Sequence, residues 1–285
     1  MLGSTVAKYL SDKVSVTEAN RTGRPVSILN QAIEFEVESQ NIVKVLRTGS
    51  FDYAINCIGL IKQAMGVSLE DQRKAIEINS HFPVLLSLAA SETGTKIISI
   101  ATDCVYSGRL GQYSENELHD PVDVYGKSKS LGEVVSPLDM TLRCSIIGKE
   151  MSSHRSLISW VINQPFNATI DGYNNHKWNG LTTLHFAKIA YGIIETDSHK
   201  NQISHIIPAD ILTKERLVSS IAEIFGRPDI RVDCVNTPTR IDRSLQTNSP
   251  DRNEGFWRLA GYTQAPSIKT MLVEYANWLG GDQNV

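Results

Sequence analysis

Tyr125 and Lys129 lie four residues apart in the segment Tyr125-Gly126-Lys127-Ser128-Lys129, and side chains four apart on a helix share one face. An ammonium beside a phenol favours the phenolate. The pair is therefore expected to lower the tyrosine pKa and to move a proton near neutral pH. The spacing alone is common on exposed helices and carries little. Thr102 adds to it, because it ends the run Ser99-Ile100-Ala101-Thr102, which reads as a strand, and its hydroxyl can hydrogen-bond the same reacting oxygen. Asn56-Cys57-Ile58-Gly59 ends a second such run.

These residues need a sheet to hold them. Short β-branched runs alternate with amphipathic stretches of helical length, the pattern of β-α units and a parallel sheet covered on both faces. Strands are predicted at 14–18, 53–57, 96–100 and 140–143, and helices at 4–10, 42–48, 68–79 running on toward 90, and 125–134. Right-handed crossovers between them give a doubly wound α/β fold of the Rossmann kind, with ligands at the carboxyl ends of the strands. After about residue 147 the alternation loosens around Pro165, Gly172, Asn174-Asn175 and Gly180, then resumes with a helix at 182–195, a strand at 203–207 and a helix at 214–225. The expected division is a dinucleotide-binding domain at 1–147. Residues 148–285 would mix returning sheet elements with a smaller substrate domain.

Composition narrows the function classes. The 285 residues are 41% hydrophobic and 21% charged, enough apolar material for one large domain or two unequal ones without disulfide staples. Lys and Arg number 28 against 31 Asp and Glu, a formal net charge of −3, so no basic face is expected to bind nucleic acid. No apolar run approaches the ~18 residues of a membrane helix. The opening residues lack an export leader, which makes a cytoplasmic address the default. Cys57, Cys104, Cys144 and Cys234 stand singly, and His81, His119, His154, His176, His185, His199 and His205 are scattered, so no metal site is expected.

A dinucleotide fold normally opens with a hydrophobic strand feeding a glycine-rich turn and a helix that meets the pyrophosphate. Met1-Leu2-Gly3-Ser4 reads as the tail of such a turn, with Gly3 its last glycine. The expectation is that the first strand and most of the turn, about ten residues, are missing ahead of Met1. The alternative is a chain that simply begins with a helix.

Taken together, the motifs resemble a short-chain dehydrogenase/reductase of the extended type. Within that superfamily the chain is similar, over most of its length, to dTDP-4-dehydrorhamnose reductase and related sugar-nucleotide reductases. Ile100-Ala101-Thr102-Asp103-Cys104-Val105-Tyr106-Ser107-Gly108 resembles the family's Ser-Thr-Asp-Tyr-Val-Phe-x-Gly segment, and Tyr113-Ser114-Glu115, Pro121 and the run from Val124 to Glu133 resemble its next block. Thr141-Leu142-Arg143-Cys144-Ser145 resembles the strand that follows, and Gly180-Leu181-Thr182-Thr183 the segment bordering the sugar site.

The resemblance implies a catalytic triad of Thr102, Tyr125 and Lys129, with Tyr125 protonating a C4 oxygen as hydride arrives from a nicotinamide and Lys129 also holding the nicotinamide ribose. It implies a cofactor site of Gly3, Arg21, Glu36, Val37, Asn56, Ile58, Gly59, Asn79 and Ser145. The substrate site would comprise Asp103, Cys104, Trp178, Thr182 and Arg243. Arg21 stands where an arginine can pair a 2′-phosphate, which favours NADPH over NADH; a plain surface arginine is the alternative. Glu36-Val37 would lie near the adenine, or form a solvated loop. Asn79 would support the lysine through water, or merely distort its helix. A guanidinium such as Arg243 suits a diphosphate, and an indole such as Trp178 offers a stacking face. Cys104 replaces the family's aromatic, which puts that substrate contact in doubt.

The function implied is NADPH-dependent reduction of a nucleotide-linked 4-keto-6-deoxy sugar for polysaccharide synthesis, with a homodimer as the assembly to test. Two alternatives stay open. One is a sugar-nucleotide epimerase of the same superfamily; a dehydratase is disfavoured because Cys104, not a glutamate, follows Thr102-Asp103. The other is a non-catalytic NADP-binding subunit resembling the regulatory β-subunit of methionine adenosyltransferase.

Overall fold

The structure, a computed structural model, describes residues 1–38, 41–150 and 155–281; His154 lies outside them. The first half runs α1 (Leu2–Leu10), β1 (Thr17–Asn20), β2 (Gln31–Glu34), α2 (Ile42–Gly49), β3 (Tyr53–Asn56), α3 (Leu69–Ile76), α4 (Phe82–Thr93), β4 (Lys96–Ala101), α5 (Val124–Leu131) and β5 (Asp139–Arg143). Then come β6 (Ile146–Ile147), α6 (Leu157–Ile162), β7 (Thr169–Tyr173), β8 (His176–Trp178), β9 (Leu181–Thr182), α7 (Thr183–Glu195) and β10 (Gln202–His205). The chain closes with β11 (Leu212–Thr213), α8 (Lys214–Ile224), β12 (Arg231–Val235), β13 (Ile241–Asp242), α9 (Pro250–Leu259) and α10 (Ile268–Gly281).

The main sheet is parallel, in the order β10-β5-β4-β3. Helices cover both of its faces, as the continuous apolar runs require. Alternation along β4 shows how: Ile97 joins Phe35, Ile42, Leu46, Phe82 and Leu86 on the α2 and α4 side, while Ile98 joins Leu2, Val6, Leu10 and Phe186 on the α1 and α7 side, since successive strand side chains point to opposite faces. Leu2, Val6 and Leu10 recur at the helical period, so α1 buries a single stripe. β1 and β2 make a separate parallel pair. Among the described residues β3 pairs only with β4 and β1 only with β2, leaving one unpaired edge on each.

The expected strand at 14–18 begins later, at Thr17. Lys13 and Val14 both donate their backbone N–H to the Leu10 carbonyl (3.0 and 3.1 Å), so the chain is still closing α1 where the strand was expected. The helix expected from 68 toward 90 is three pieces. Ser68 opens α3 with a capping box to Asp71, and residues Glu77–His81 form a π turn before α4. Pro83 has no N–H to donate, and the wider turn ahead of it absorbs the break in the hydrogen-bond ladder. The helix expected at 125–134 ends at Leu131, where Gly132 passes against the Asn79 carbonyl.

Beyond residue 147, β10 returns to the main sheet beside β5, while β11-β8-β13 form a small sheet of their own. One apolar core runs from Leu2 of α1 through Met140, Phe186 and Leu217 to Tyr275 of α10, so residues on both sides of 147 pack together. No helix among the described residues is long and apolar enough to cross a membrane.

Candidate active site

Thr102 follows β4 and caps the short 3-10 turn Asp103–Val105, accepting a hydrogen bond from the Cys104 N–H at 3.2 Å. Asp123 starts α5 by accepting from the Gly126 N–H (2.9 Å). α5 comes so close to the Asp103–Val105 turn that a side chain on Gly126 would collide with the Cys104 carbonyl and with Pro121. This glycine lets α5 seat Tyr125 beside the Thr102 hydroxyl. Ser128 fastens the same helix: it donates to the Tyr125 carbonyl (2.9 Å) and accepts from the Asn79 amide (3.0 Å), while Ser80 donates to its carbonyl (2.7 Å).

Burial is the largest influence on Tyr125 and raises its pKa, with Cys104, Asp103 and Asp123 adding to the rise and the Thr102 hydroxyl opposing it. This corrects the expectation of a lowered phenol. Lys129 shares the helix face, but its ammonium turns to the Ile100 carbonyl (3.2 Å) and lies beside Gly59. Desolvation outweighs any help the lysine gives the phenolate. The protonated phenol that results is the form a proton donor needs. Lys129 is itself pushed below its usual value by burial, with Glu133 acting in the opposite direction.

The expected cofactor residues fall into two groups. Gly3, in the first turn of α1, lies against Cys57 at the carboxyl end of β3. Asn56 is buried there and accepts from the Ile58 N–H (3.1 Å). Asn79 sits in the π turn, accepts from the Leu60 N–H (2.8 Å) and donates to the Leu60 carbonyl (3.0 Å); it fastens the loop after Gly59 to α5 through Ser128 and makes no hydrogen bond to Lys129. Gly59 has the Asn79 carboxamide and the Lys129 ammonium as its neighbours. The second group lies apart, at the ends of β1 and β2. Arg21 and Glu36 are exposed there, and Val37 packs beside Phe35.

Ser145 joins neither group. It accepts from the Trp178 indole N–H (2.8 Å) and lies near the Asp103 carboxyl group. Trp178 is 4% exposed, and the Lys214 ammonium lies 5.6 Å from its ring centre. Arg243 donates through Nε to the Tyr106 carbonyl (2.9 Å). Asp103 is raised by burial, against the pull of Arg243 and Lys214. Thr182 is buried as the cap of α7 and hydrogen-bonds His185 (2.6 Å). Burial pushes the Cys57 and Cys104 thiols up to about 12.

Two parts of the site escaped the sequence reading. Lys214 opens an amphipathic helix and looked like an ordinary first-turn residue; only the pairing of β11 with β8 brings it over Trp178. Arg143 is 1% exposed and donates to Glu133 (2.9 and 2.5 Å), to Tyr106 (2.8 Å) and to the ring nitrogens of His205 and His119 (2.7 and 3.0 Å). The signal available was a charged residue inside an otherwise apolar strand, Asp139–Arg143. A depression of about 640 Å³ lined by Phe51, Tyr53, Lys96 and Asp197 opens at the opposite, amino ends of β3 and β4, away from this chemistry.

A parallel sheet wrapped by helices, with a tyrosine, a threonine and a lysine at its carboxyl edge, defines a Rossmann-like α/β protein. The chain belongs to the family of the RmlD substrate binding domain, whose model matches residues 2–146. Its fold is similar to that of a dTDP-4-dehydrorhamnose reductase from Clostridium acetobutylicum (TM-score 0.72, 19% identity, 98% of this chain and 96% of that one). It is also similar to a dTDP-4-dehydrorhamnose reductase from Bacillus anthracis in complex with NADP (TM-score 0.70, 18% identity, 96% of each chain). A curated relative, methionine adenosyltransferase 2 subunit beta of Danio rerio, is 41% identical over 59 residues; that match spans 21% of this chain and 18% of the relative.

Proposed function

We propose that the protein is an NADPH-dependent reductase of the C4 keto group of a nucleotide-linked 4-keto-6-deoxy sugar. The observation that carries this reading is the meeting of Thr102, Tyr125 and Lys129 at the carboxyl edge of the sheet, within a member of this family. The residues fit a dinucleotide: Lys129 makes one hydrogen bond among the described residues, to Ile100, so two of its three donors are open to ribose hydroxyls beside the side-chain-free Gly59. A reduced nicotinamide bound there supplies hydride to C4. Thr102 hydrogen-bonds the carbonyl oxygen, and Tyr125 donates its proton to that oxygen as negative charge develops. Lys129, held by Ile100 and balanced by Glu133, stabilises the phenolate that remains until solvent reprotonates it.

The exposed Arg21 just after β1 supports NADPH over NADH in this reading, since a guanidinium there would pair a 2′-phosphate.

In the enzymatic test, the protein is mixed with NADPH and a dTDP-linked 4-keto-6-deoxyhexose. NADPH should be consumed, and Tyr125→Phe should stop turnover while largely sparing NADPH binding. Full turnover by the variant would remove Tyr125 from its role. The similarity to the β-subunit favours a second reading, a cofactor-binding regulatory subunit. NADPH binding without turnover of any keto sugar would select it.

A further inference from the structure

In the small sheet β11-β8-β13, the parallel strand β13 puts Arg243 level with Trp178, while the antiparallel strand β11 puts Lys214 level with His176, from where its ammonium reaches back to 5.6 Å from the Trp178 ring centre. Both cations come within electrostatic range of Asp103 and of each other. Neither makes an ion pair with Asp103 at 4 Å or less. Arg243 spends Nε on Tyr106, which leaves its terminal amino groups free. Lys214 has no hydrogen bond or ion pair among the described residues and rests over the Trp178 ring.

The remaining charges nearby are already matched. Asp123 pairs with Lys62 at 2.8 Å, Asp242 with Arg240 and Lys177 at 2.9 and 3.4 Å, and His176 is held toward its neutral form by burial. Two partly desolvated cations therefore face one carboxylate, and the excess positive charge sits next to Thr102, where a second oxyanion would be strongly favoured.

We propose that Lys214 is a substrate-binding residue that closes, with Arg243, on the phosphate oxyanions of the sugar-nucleotide diphosphate, while Asp103 serves as the counter-charge that keeps the two cations together. Guanidinium and ammonium divide the work: the planar fork of Arg243 takes two oxygens, and Lys214 acts as a point charge. The identity of the ligand rests on the reductase reading; the oxyanion site does not.

The test uses the full chain, its Lys214→Met variant, which keeps an unbranched stem over Trp178, and its Lys214→Arg variant, each titrated calorimetrically with dTDP, UDP and inorganic pyrophosphate. Lys214→Met should weaken all three by about tenfold or more, and Lys214→Arg should recover most of the loss, with unfolding midpoints close to the parent's. Equal affinity of parent and Lys214→Met for all three probes, or no binding of any of them by the parent, overturns the site. Pyrophosphate binding that depends on Lys214 in a protein that reduces no keto sugar keeps the site and discards the reductase. Keto-sugar turnover with kcat and KM unchanged in Lys214→Met does the reverse.

Discussion

Around Tyr125 the chain ties its polar groups to one another, and around Arg21 it leaves them in water. At the first place, α5 is gripped from one side by Asn79 and Ser80 through Ser128, and Arg143 behind it holds Glu133, Tyr106, His205 and His119. At the second, a turn organised by Asn20, which accepts from Thr22 and donates to the Arg24 carbonyl, presents Arg21 and Arg24 to solvent. The difference teaches where each step of the proposed reaction needs rigidity. Reacting groups misplaced by about 1 Å can lose about a hundredfold in rate. An exposed arginine that pairs a phosphate can collect it from several rotamers.

Breaking the rigid side should cost most. Arg143→Met leaves Glu133 buried without its partner, and loss of one member of such a pair costs about 3–5 kcal/mol; denaturant unfolding should show a loss of that size, and a change under 1 kcal/mol would mean that the network does not hold the fold. Acid is the next probe. His205 is 1% exposed and held down to about 4 by burial and the neighbouring Arg143 guanidinium. The unfolded chain therefore binds a proton that the folded chain refuses, so stability falls as pH drops from about 6.5 to 4, by about 3 kcal/mol in all. His205→Gln should flatten that slope in unfolding curves measured across the window.

The open side should answer differently. Arg21→Ala should leave stability unchanged and weaken NADPH binding by about tenfold, with NADH unaffected; equal losses for both cofactors would move Arg21 away from the 2′-phosphate. The smallest effect concerns the thiols near the site. With Cys57 and Cys104 pushed up to about 12, alkylation at neutral pH should be slow compared with exposed Cys234, as read by mass spectrometry of peptides.

The same contrast explains what could be read from the sequence. Strands β3, β4 and β5 and helix α2 were legible because buried runs and a helical stripe announce themselves locally; α5, expected from Tyr125, begins one residue earlier, where Asp123 caps it. The protonation of Tyr125 was not legible: spacing gives a shared face, but the phenol is raised by burial and by Cys104 and Asp103, in a turn about twenty residues upstream. Lys214 was hidden for a similar reason, since its place over Trp178 depends on a strand pairing between 178 and 212. The break in the helix expected from 68 toward 90 was hidden in a smaller way, because a π turn at Glu77–His81 has no simple sequence period.

The most direct test of the central claim follows the hydride. NADPH deuterated at its transferable position is mixed with a dTDP-linked 4-keto-6-deoxyhexose and the full chain, and the product is analysed by mass and NMR. The account predicts deuterium at C4 of the sugar and matching loss of NADPH. Consumption of the sugar with no deuterium at C4, or with NADPH left intact, would contradict it.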